Sequence, residues 1–148
     1  MNNYPEWWNQ TVTIYNKFLV PTTKVVTWHK FVVHNCFWKY TGNKITINES
    51  TIETDNTICR IPKNDKYLDK FEWELLSETD KSNHFSLGVG DIIVKGEVDD
   101  VVNDYLAGSR SSDLLTKYRR LQGCMLIERC SVNTGFGRGN EHYYVRGV

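Results

Sequence analysis

Alternating apolar and polar residues predict the first strands of the chain. In "QTVTIYNKF", Val12 and Ile14 alternate with threonines, which is the period of a half-buried strand. Pro21 in "LVPTTK" then marks a turn, because proline has a fixed φ and no backbone N–H to donate. Residues 24–40 contain no Gly or Pro and are rich in β-branched and aromatic side chains, so they predict one long strand, bent or bulged.

The same pattern recurs in shorter segments. "TGNK" predicts a turn, and "KITIN" predicts a strand with Ile45 and Ile47 on one face. "NTICRIP" predicts a strand that ends at Pro62. "CMLIERCSVN" and "EHYYVRGV" predict two more strands, with the glycine-rich "TGFGRGN" as the tip between them.

The glycine-rich stretch "SLGVGDIIVKGEVDD" raises the question of a phosphate-binding loop. Its glycines precede the apolar run and its lysine follows it, the wrong order for a P-loop, so we interpret residues 87–91 as a hairpin turn between "NHFSL" and "DIIVKGEV". The spacing of Val98, Val101, Val102 and Tyr105 then predicts a short helix, closed by Gly108. "SSDLLTKYRRLQG" predicts either a second short helix, capped by Ser112 or Asp113, or an extended exposed loop.

Together these segments predict the fold class: mainly β, a small antiparallel β barrel or sandwich with one or two short helices and a long charged loop. About seven short strands are expected in a single domain over residues 1–148. Residues 1–9 form an N-terminal extension, and residues 63–83 form the long loop, which Phe71, Trp73, Leu75 and Leu76 are expected to pin to the sheet.

Charge and cysteine usage narrow the functional classes. The chain carries 18 basic and 18 acidic residues, so it has no net positive charge that would attract it to nucleic acid or to an anionic membrane. The start has no secretory signal and no apolar run is long enough to span a bilayer, which predicts a soluble protein made in the cytoplasm. Its four cysteines lack metal-ligand or C-x-x-C spacing, so we expect reduced core thiols, no metal and no cofactor.

Two polar groupings are weak candidates for chemistry. His34 and Cys36 lie two residues apart and share a face on a regular strand, so a Cys/His catalytic pair is a third-ranked hypothesis. Asp99, Asp100 and Asp104 lack the alternating ligands and glycine of a calcium loop, and a solvated helix face is the default interpretation.

Aromatic residues suggest contact surfaces. Trp7 and Trp8 sit in a polar N-terminal segment, and we expect them to dock onto a neighbouring surface of this chain or of another subunit. With five tryptophans and eight tyrosines, a small binding module for carbohydrate or single-stranded nucleic acid is the alternative function.

The segments "WNQTVTIYNKF", "VTWHKFVVHNCFWK", "TDNTICRIP", "HFSLGVGDIIVKGEVDD" and "HYYVRGV" resemble a family of head–tail connector proteins, head-closure or minor capsid, of tailed phages and prophages of Gram-positive bacteria. The resemblance spans most of the chain, and its motifs are structural rather than catalytic. It implies a non-enzymatic β barrel that assembles as a ring, commonly of twelve or six subunits, in the neck of the virion.

The resemblance also implies the partners. The ring would lie between portal or adaptor proteins and tail proteins, with double-stranded DNA passing through it without sequence specificity and no membrane involved. The protein would be made in the cytoplasm of the bacterial host and located in the virion. The expected interface residues are Trp7, Trp8, Arg110, Lys117, Arg119, Arg120 and Arg138, the last at the predicted glycine-rich tip.

Overall fold

Six antiparallel strands close into a barrel in the computed structural model, which describes residues 4–121, 123–133 and 141–148, without the side chains of residues 41–47 and 51–55. The strands are β1 (Gln10–Leu19), β2 (Val26–Ile47), β3 (Ser50–Pro62), β4 (Ile92–Lys95), β5 (Cys124–Asn133) and β6 (His142–Gly147). Three short helices lie between them: α1 (Lys70–Glu74), α2 (Glu78–Ser82) and α3 (Ser111–Arg119). The spatial order is β1-β2-β3-β6-β5-β4, and β4 pairs with β1 to close the ring. The predicted fold class is therefore confirmed, with one helix more than expected.

A bulge bends the long second strand, as its sequence predicted. Gln10 pairs with Cys36 but Val12 pairs with Val33, so β2 has one extra residue between these two points. Asn35 lies there with a φ of 60°, a left-handed conformation that asparagine tolerates better than most residues.

The turn predicted at "TGNK" does not form. Residues 41–44 continue β2, which pairs with β3 without interruption down to Ile47 and Ser50. The chain reverses instead at Asn48 and Glu49, whose φ values of 49° and 68° are those of a type I′ hairpin turn. "KITIN" is therefore the end of β2 and not a separate strand, and the predicted facing of Ile45 and Ile47 lies outside the described side chains.

Apolar side chains fill the barrel and cover part of its outside. The interior cluster comprises Val12, Ile14, Val33, Cys36, Cys59, Ile61, Phe85, Leu87, Ile93, Met125, Ile127, Tyr143 and Val145. A second cluster, on the outer face of β1, β4 and β5, comprises Tyr15, Ile92, Val94, Val102, Leu114 and Cys124. The chain between residues 97 and 120 covers that outer face, so β1 is buried on both sides.

The predicted helix at residues 98–105 is absent from this covered face. Residues 97–103 are irregular, because their backbone is tied to β1 and not to itself. The Val98 N–H donates to Thr13 Oγ1 at 3.2 Å, and Tyr15 Oη donates to the Asp100 carbonyl at 2.7 Å. Val102 is buried while Val101 is 78% exposed, so the apolar spacing does not form one helical face.

The predicted "NHFSL" strand is also wrong, although the glycine turn after it is confirmed. Phe85 makes only an isolated bridge, and the segment enters the end of the barrel. The side-chain amide of Asn16 makes both bonds that a neighbouring strand would make to Ser86, at 2.6 Å and 3.0 Å. Gly90 follows in a turn with φ 93°, and the Gly88 N–H donates to the carboxylate of Asp91 at 2.9 Å. The glycine-rich stretch thus surrounds a carboxylate of its own chain.

The loop at residues 63–83 contains α1 and α2, and one tryptophan anchors it. Trp73 is fully buried and packs edge-on against Phe18 and His29, at the end of the barrel where β1 finishes and β2 begins. Phe71 and Leu75, expected to pin the loop as well, are instead 72% and 73% exposed. The anchoring prediction therefore holds for Trp73 and is wrong for Phe71 and Leu75, whereas Leu76, the fourth residue of the prediction, is partly buried.

Candidate assembly surfaces

A two-stranded ribbon extends from the barrel. Residues 41–47 of β2 pair with residues 50–56 of β3, but β1 pairs with β2 only as far as Cys36, and β6 pairs with β3 only from Thr57 onward. Within the described residues, both outer edges of this ribbon therefore lack a partner strand. Seven residue pairs correspond to a reach of about 24 Å beyond the barrel.

The N-terminal extension folds back onto the barrel of its own chain. The Trp8 ring stacks on Tyr4 with centroids 5.1 Å apart, meets His142 edge-on at 5.4 Å and lies 6.3 Å from Phe37. Trp7 touches Phe37 edge-on at 6.1 Å and is 56% exposed. These tryptophans were predicted to dock onto a surface of this chain or of another subunit, and in the structure they contact this chain.

Hydrogen bonds fasten the start of this extension to the ends of two strands. Tyr4 Oη donates to the Glu141 carbonyl and accepts the Lys63 N–H at 3.1 Å. Lys63 Nζ and the Glu141 carboxylate also form an ion pair at 2.7 Å. Because Trp8 is occupied by these internal contacts, Trp7 is the tryptophan of the pair left available to a partner.

The basic segment predicted as either helix or loop is a helix, and its single lysine, Lys117, is already paired. Lys117 Nζ lies 2.8 Å from one oxygen of Asp100, and Tyr118 Oη donates to the other at 2.5 Å. Burial raises the pKa of Asp100, but these two hydrogen bonds outweigh it and lower the pKa overall. Lys117 and Asp100 line a cleft of about 190 Å³ together with Arg110 and Asp113, two cations beside two carboxylates.

Asp104, not Ser112 or Asp113 alone, anchors the start of α3. Its Oδ1 accepts the Ser111 N–H at 2.8 Å and its Oδ2 accepts the Trp28 Nε1–H at 2.7 Å. Asp113 accepts the N–H of Arg110, the N-cap residue, at 3.1 Å. The acidic grouping is therefore not a solvated helix face: Asp100 and Asp104 both hold α3 against the barrel.

The predicted interface residues do not form a single surface. Arg119 ends α3 and donates to the Val148 carbonyl at 3.3 Å, and Arg120 follows as the C-cap. The structure thus groups Arg110, Lys117, Arg119 and Arg120 on α3, apart from Trp7 on the N-terminal extension. Arg138 lies outside the described residues.

Sequence reasoning missed a basic surface on the outside of β2, β3, β6 and β5. Strand register places Lys39 beside Ile58, Ile58 beside Arg146, and Arg146 beside Arg129, in one row across four strands. In the next row the Arg60 guanidinium lies over the Tyr144 ring at 4.8 Å. We call Lys39, Arg60, Arg129 and Arg146 the basic face. The basic face could not be recognised from a sequence motif, because its four cations are far apart along the chain.

Each cation of the basic face is exposed or only partly covered. Arg146 is held by Asn56 at 3.0 Å and Arg60 by His142 at 2.9 Å. Among the described residues, none forms an ion pair with Lys39, Arg60, Arg129 or Arg146. Glu128, in the bulge of β5, is the carboxylate that lies next to Arg129 in the chain. The face therefore carries a net positive charge that is not neutralised within these residues.

The α1–α2 segment presents the opposite charge. Its lysines are used internally: Lys70 Nζ binds the buried Asp91 at 3.0 Å, and the buried Lys81 Nζ donates to the carbonyls of Glu74 and Leu76. Lys81 also lies 4.2 Å from the Phe18 ring. The exposed carboxylates and large apolar side chains of this segment form what we call the acidic face: Phe71, Glu72, Glu74, Leu75, Glu78 and Asp80. Of these, Glu78 also lies 3.4 Å from His29 Nε2.

The Cys/His catalytic pair is not formed. The bulge at Asn35 turns His34 outward, where its Nδ1 lies 3.0 Å from Thr11 Oγ1, while Cys36 is fully buried. Cys36 Sγ approaches the carbonyl of His34, not its imidazole. The four cysteines are free thiols, three of them buried, as expected of core thiols.

The described residues contain no group of three or more His, Cys, Asp or Glu side chains arranged to hold a metal ion. Within that same part of the chain, every helix is too short and too polar to cross a bilayer. Residues 7–148 match DUF6751, described as a family of unknown function. The chain belongs to this family. No curated protein and no solved structure matched the chain.

Proposed function

We propose that this protein is a structural subunit of a phage neck, which forms a ring between the portal or adaptor and the tail, closes the head and continues the DNA channel. The ribbon is the single observation that carries the proposal. Every strand of the barrel proper has partners on both sides, so within the described residues the ribbon is where backbone N–H and C=O groups without a partner strand run along the outer edges of two strands.

Such a ribbon is an unusual structure for a protein that acts alone. A two-stranded hairpin is marginally stable in water, and exposed strand edges are templates for pairing with another chain. A ring of subunits resolves both problems, because the edge of one ribbon can pair with the opposite edge of the next. The resemblance of the sequence to connector proteins supports the same architecture and supplies the neighbours, portal or adaptor proteins on one side and tail proteins on the other.

The charge balance fits a conduit for DNA. Lys and Arg side chains that bind phosphates release counterions, and each such contact strengthens the attraction to DNA. A chain with equal numbers of acidic and basic residues has no global field to hold the DNA that passes through. A structural role also fits the separation of His34 from Cys36.

The test is a ribbon truncation. Residues 42–55 are replaced by Asn-Gly, which retains the Thr41–Asn56 pair and closes it with a type I′ turn. The barrel ladders are unaffected, so we expect unchanged thermal stability. Light scattering and negative-stain electron microscopy should show rings for the wild type, alone or with its head and tail proteins, and monomers for the truncated chain.

Purified virions of the encoding phage provide the second readout. Mass spectrometry should detect the wild-type protein at the copy number of a ring, and particles carrying the truncated protein should lack tails. The proposal fails if the wild type remains monomeric under all these conditions and is absent from the particles.

A further inference from the structure

We infer that copies of this chain associate head to tail, with the acidic face of one copy docked on the basic face of the next. The inference rests on the proposed function, since it assigns the side-chain contact that accompanies ribbon pairing. The partner is thus a second copy of the same chain, recognised by complementary charge and by two exposed apolar side chains.

The basic face is built to receive carboxylates. The Arg60 guanidinium stacks on Tyr144 and the Arg146 guanidinium is held by Asn56, so neither has to lose much side-chain freedom on binding. Neighbouring strands are about 5 Å apart, so the row from Lys39 to Arg129 spans about 15 Å. Guanidinium groups at fixed positions bind carboxylates through paired hydrogen bonds.

The acidic face has the matching size and chemistry. α1 and α2 together carry four exposed carboxylates whose neighbouring lysines are already engaged, Lys70 with Asp91 and Lys81 with backbone carbonyls. Phe71 lies on α1 and Leu75 is the C-cap residue of that helix, four positions later, and both protrude into solvent. Large apolar side chains surrounded by charges are typical of a docking surface, in which the apolar pair is buried at the centre and the charges form the rim.

The two faces are different surfaces of the molecule. α1 and α2 pack against the end of β1 and the start of β2, at one end of the barrel, whereas the basic face lies on the outer wall of β2, β3, β6 and β5. Two different, complementary surfaces produce head-to-tail assembly, which is the arrangement that a cyclic ring requires.

A second copy explains more of the surface than nucleic acid does. DNA phosphates would satisfy the basic face alone and would leave the acidic face, with its protruding Phe71 and Leu75, unexplained. A second copy satisfies both faces with one contact, and the chain as a whole remains electrically neutral. Binding of DNA to the basic face is therefore the rival outcome that the experiment has to distinguish.

The experiment reverses the charge of each face separately and then mixes the products. One variant carries Lys39→Glu and Arg129→Glu, the two cations without internal partners among the described residues. The other carries Glu72→Lys and Glu74→Lys. Each variant alone would bring like charges together, so we expect at least a tenfold loss of self-association, measured by sedimentation velocity in the presence of whatever head or tail protein the wild type needs.

Mixing the two variants restores opposite charges at every contact, so assembly should recover to near the wild-type level. The matched control is Lys24→Glu with Lys95→Glu, the same change in net charge as in the basic-face variant but at exposed positions outside both faces, and it should assemble normally. If the mixture stays dissociated, or the control is equally impaired, the inference is overturned while ring formation by the wild type still stands. A wild type that forms no oligomer overturns both proposals.

Zero-length cross-linking gives an independent readout. A carbodiimide joins carboxylates to amines in direct contact, and Lys39 is the amine of the basic face. In a mixture of isotopically light and heavy protein, we expect cross-links from Lys39 to Glu72, Glu74 or Glu78 that contain one light and one heavy peptide. The inference would be overturned by mixed-isotope cross-links confined to other sites. It would also be overturned if the basic face were protected from cross-linking only when double-stranded DNA is added.

Discussion

Removal of the Asp91 carboxylate should destabilise the protein more than any other change to a charged side chain outside the assembly faces. Asp91 is 1% exposed. Its oxygens accept from Asn16 Nδ2 at 2.9 Å, from the N–H groups of Lys17 and Gly88 at 2.9 Å each, and from Lys70 Nζ at 3.0 Å. One side chain thus joins β1, the glycine turn and α1.

The magnitude follows from the groups that Asp91→Ala would leave without an acceptor. A buried donor left without its acceptor lowers the free energy of unfolding by about 1–3 kcal/mol, and removing one partner of a buried ion pair lowers it by about 3–5 kcal/mol. The Lys70 side chain is 27% exposed and can turn partly to water, which reduces its share. We therefore expect a loss of about 3–5 kcal/mol in the free energy of unfolding, or about 6–20 °C in Tm for a chain of this length.

Urea unfolding followed by tryptophan fluorescence measures this loss directly. The midpoint should fall with an unchanged m value, because the surface exposed on unfolding stays the same. Asp91→Asn keeps the shape but sets an NH₂ group against these donors, so it should also be destabilising, by about 2 kcal/mol. The control is Asp99→Ala, which removes an exposed carboxylate, with an expected change within about 0.5 kcal/mol. A loss below about 1 kcal/mol for Asp91→Ala would refute the reasoning.

Three further predictions concern the barrel and its buried groups. Gly147→Ala should cost about 2 kcal/mol or more, because its Cβ would lie 2.9 Å from the Leu126 carbonyl carbon, whereas Gly123→Ala, with nothing nearer than 3.7 Å, should be nearly neutral in the same urea assay. Burial lowers the pKa of His29, opposed by Glu78 and assisted by Lys81 and Lys70. As the pH falls, the His29 imidazole is therefore protonated in the unfolded chain before it is protonated in the folded one. The stability that His29 contributes is thus present above its ordinary pKa of about 6.5 and lost as the pH falls. Accordingly, lowering the pH from 7 to 5 should reduce the Tm of the wild type more than that of His29→Phe. Burial raises the pKa of both Cys124 and Cys130 to about 11, so alkylation at pH 8 should be slow in the folded protein and complete for all four thiols in urea; fast modification of the folded chain would contradict the structure.

Strand positions were predictable because their signals are local. The alternation in β1, the aromatic and β-branched run of β2 and the stop at Pro62 each depend on neighbouring residues, and the structure confirms all of them. The strand was predicted to be bent or bulged, but the site of the bulge at Asn35 was not, since it depends on how β1 and β2 align. Closure of the barrel required knowledge of which strands pair.

The errors arose where tertiary contacts override local preference. "TGNK" has the composition of a turn, but eleven consecutive pairs between β2 and β3 hold its backbone extended. The helical spacing at residues 98–105 is real, yet Thr13 and Tyr15 of β1 capture the backbone groups that a helix would use internally. "NHFSL" resembles a strand, but its partner is the side chain of Asn16.

The same distinction explains which surface residues were found. The cations of α3 stand out in the sequence because they lie close together along the chain. In the structure, Lys117 pairs with Asp100 and Arg119 donates to a backbone carbonyl. The basic face draws one residue from each of four strands, so only the strand register brings its charges together. In this chain the cations that are close in sequence bind groups of their own fold, whereas those of the basic face have no ion-pair partner among the described residues. The basic face is therefore the better candidate for binding a partner.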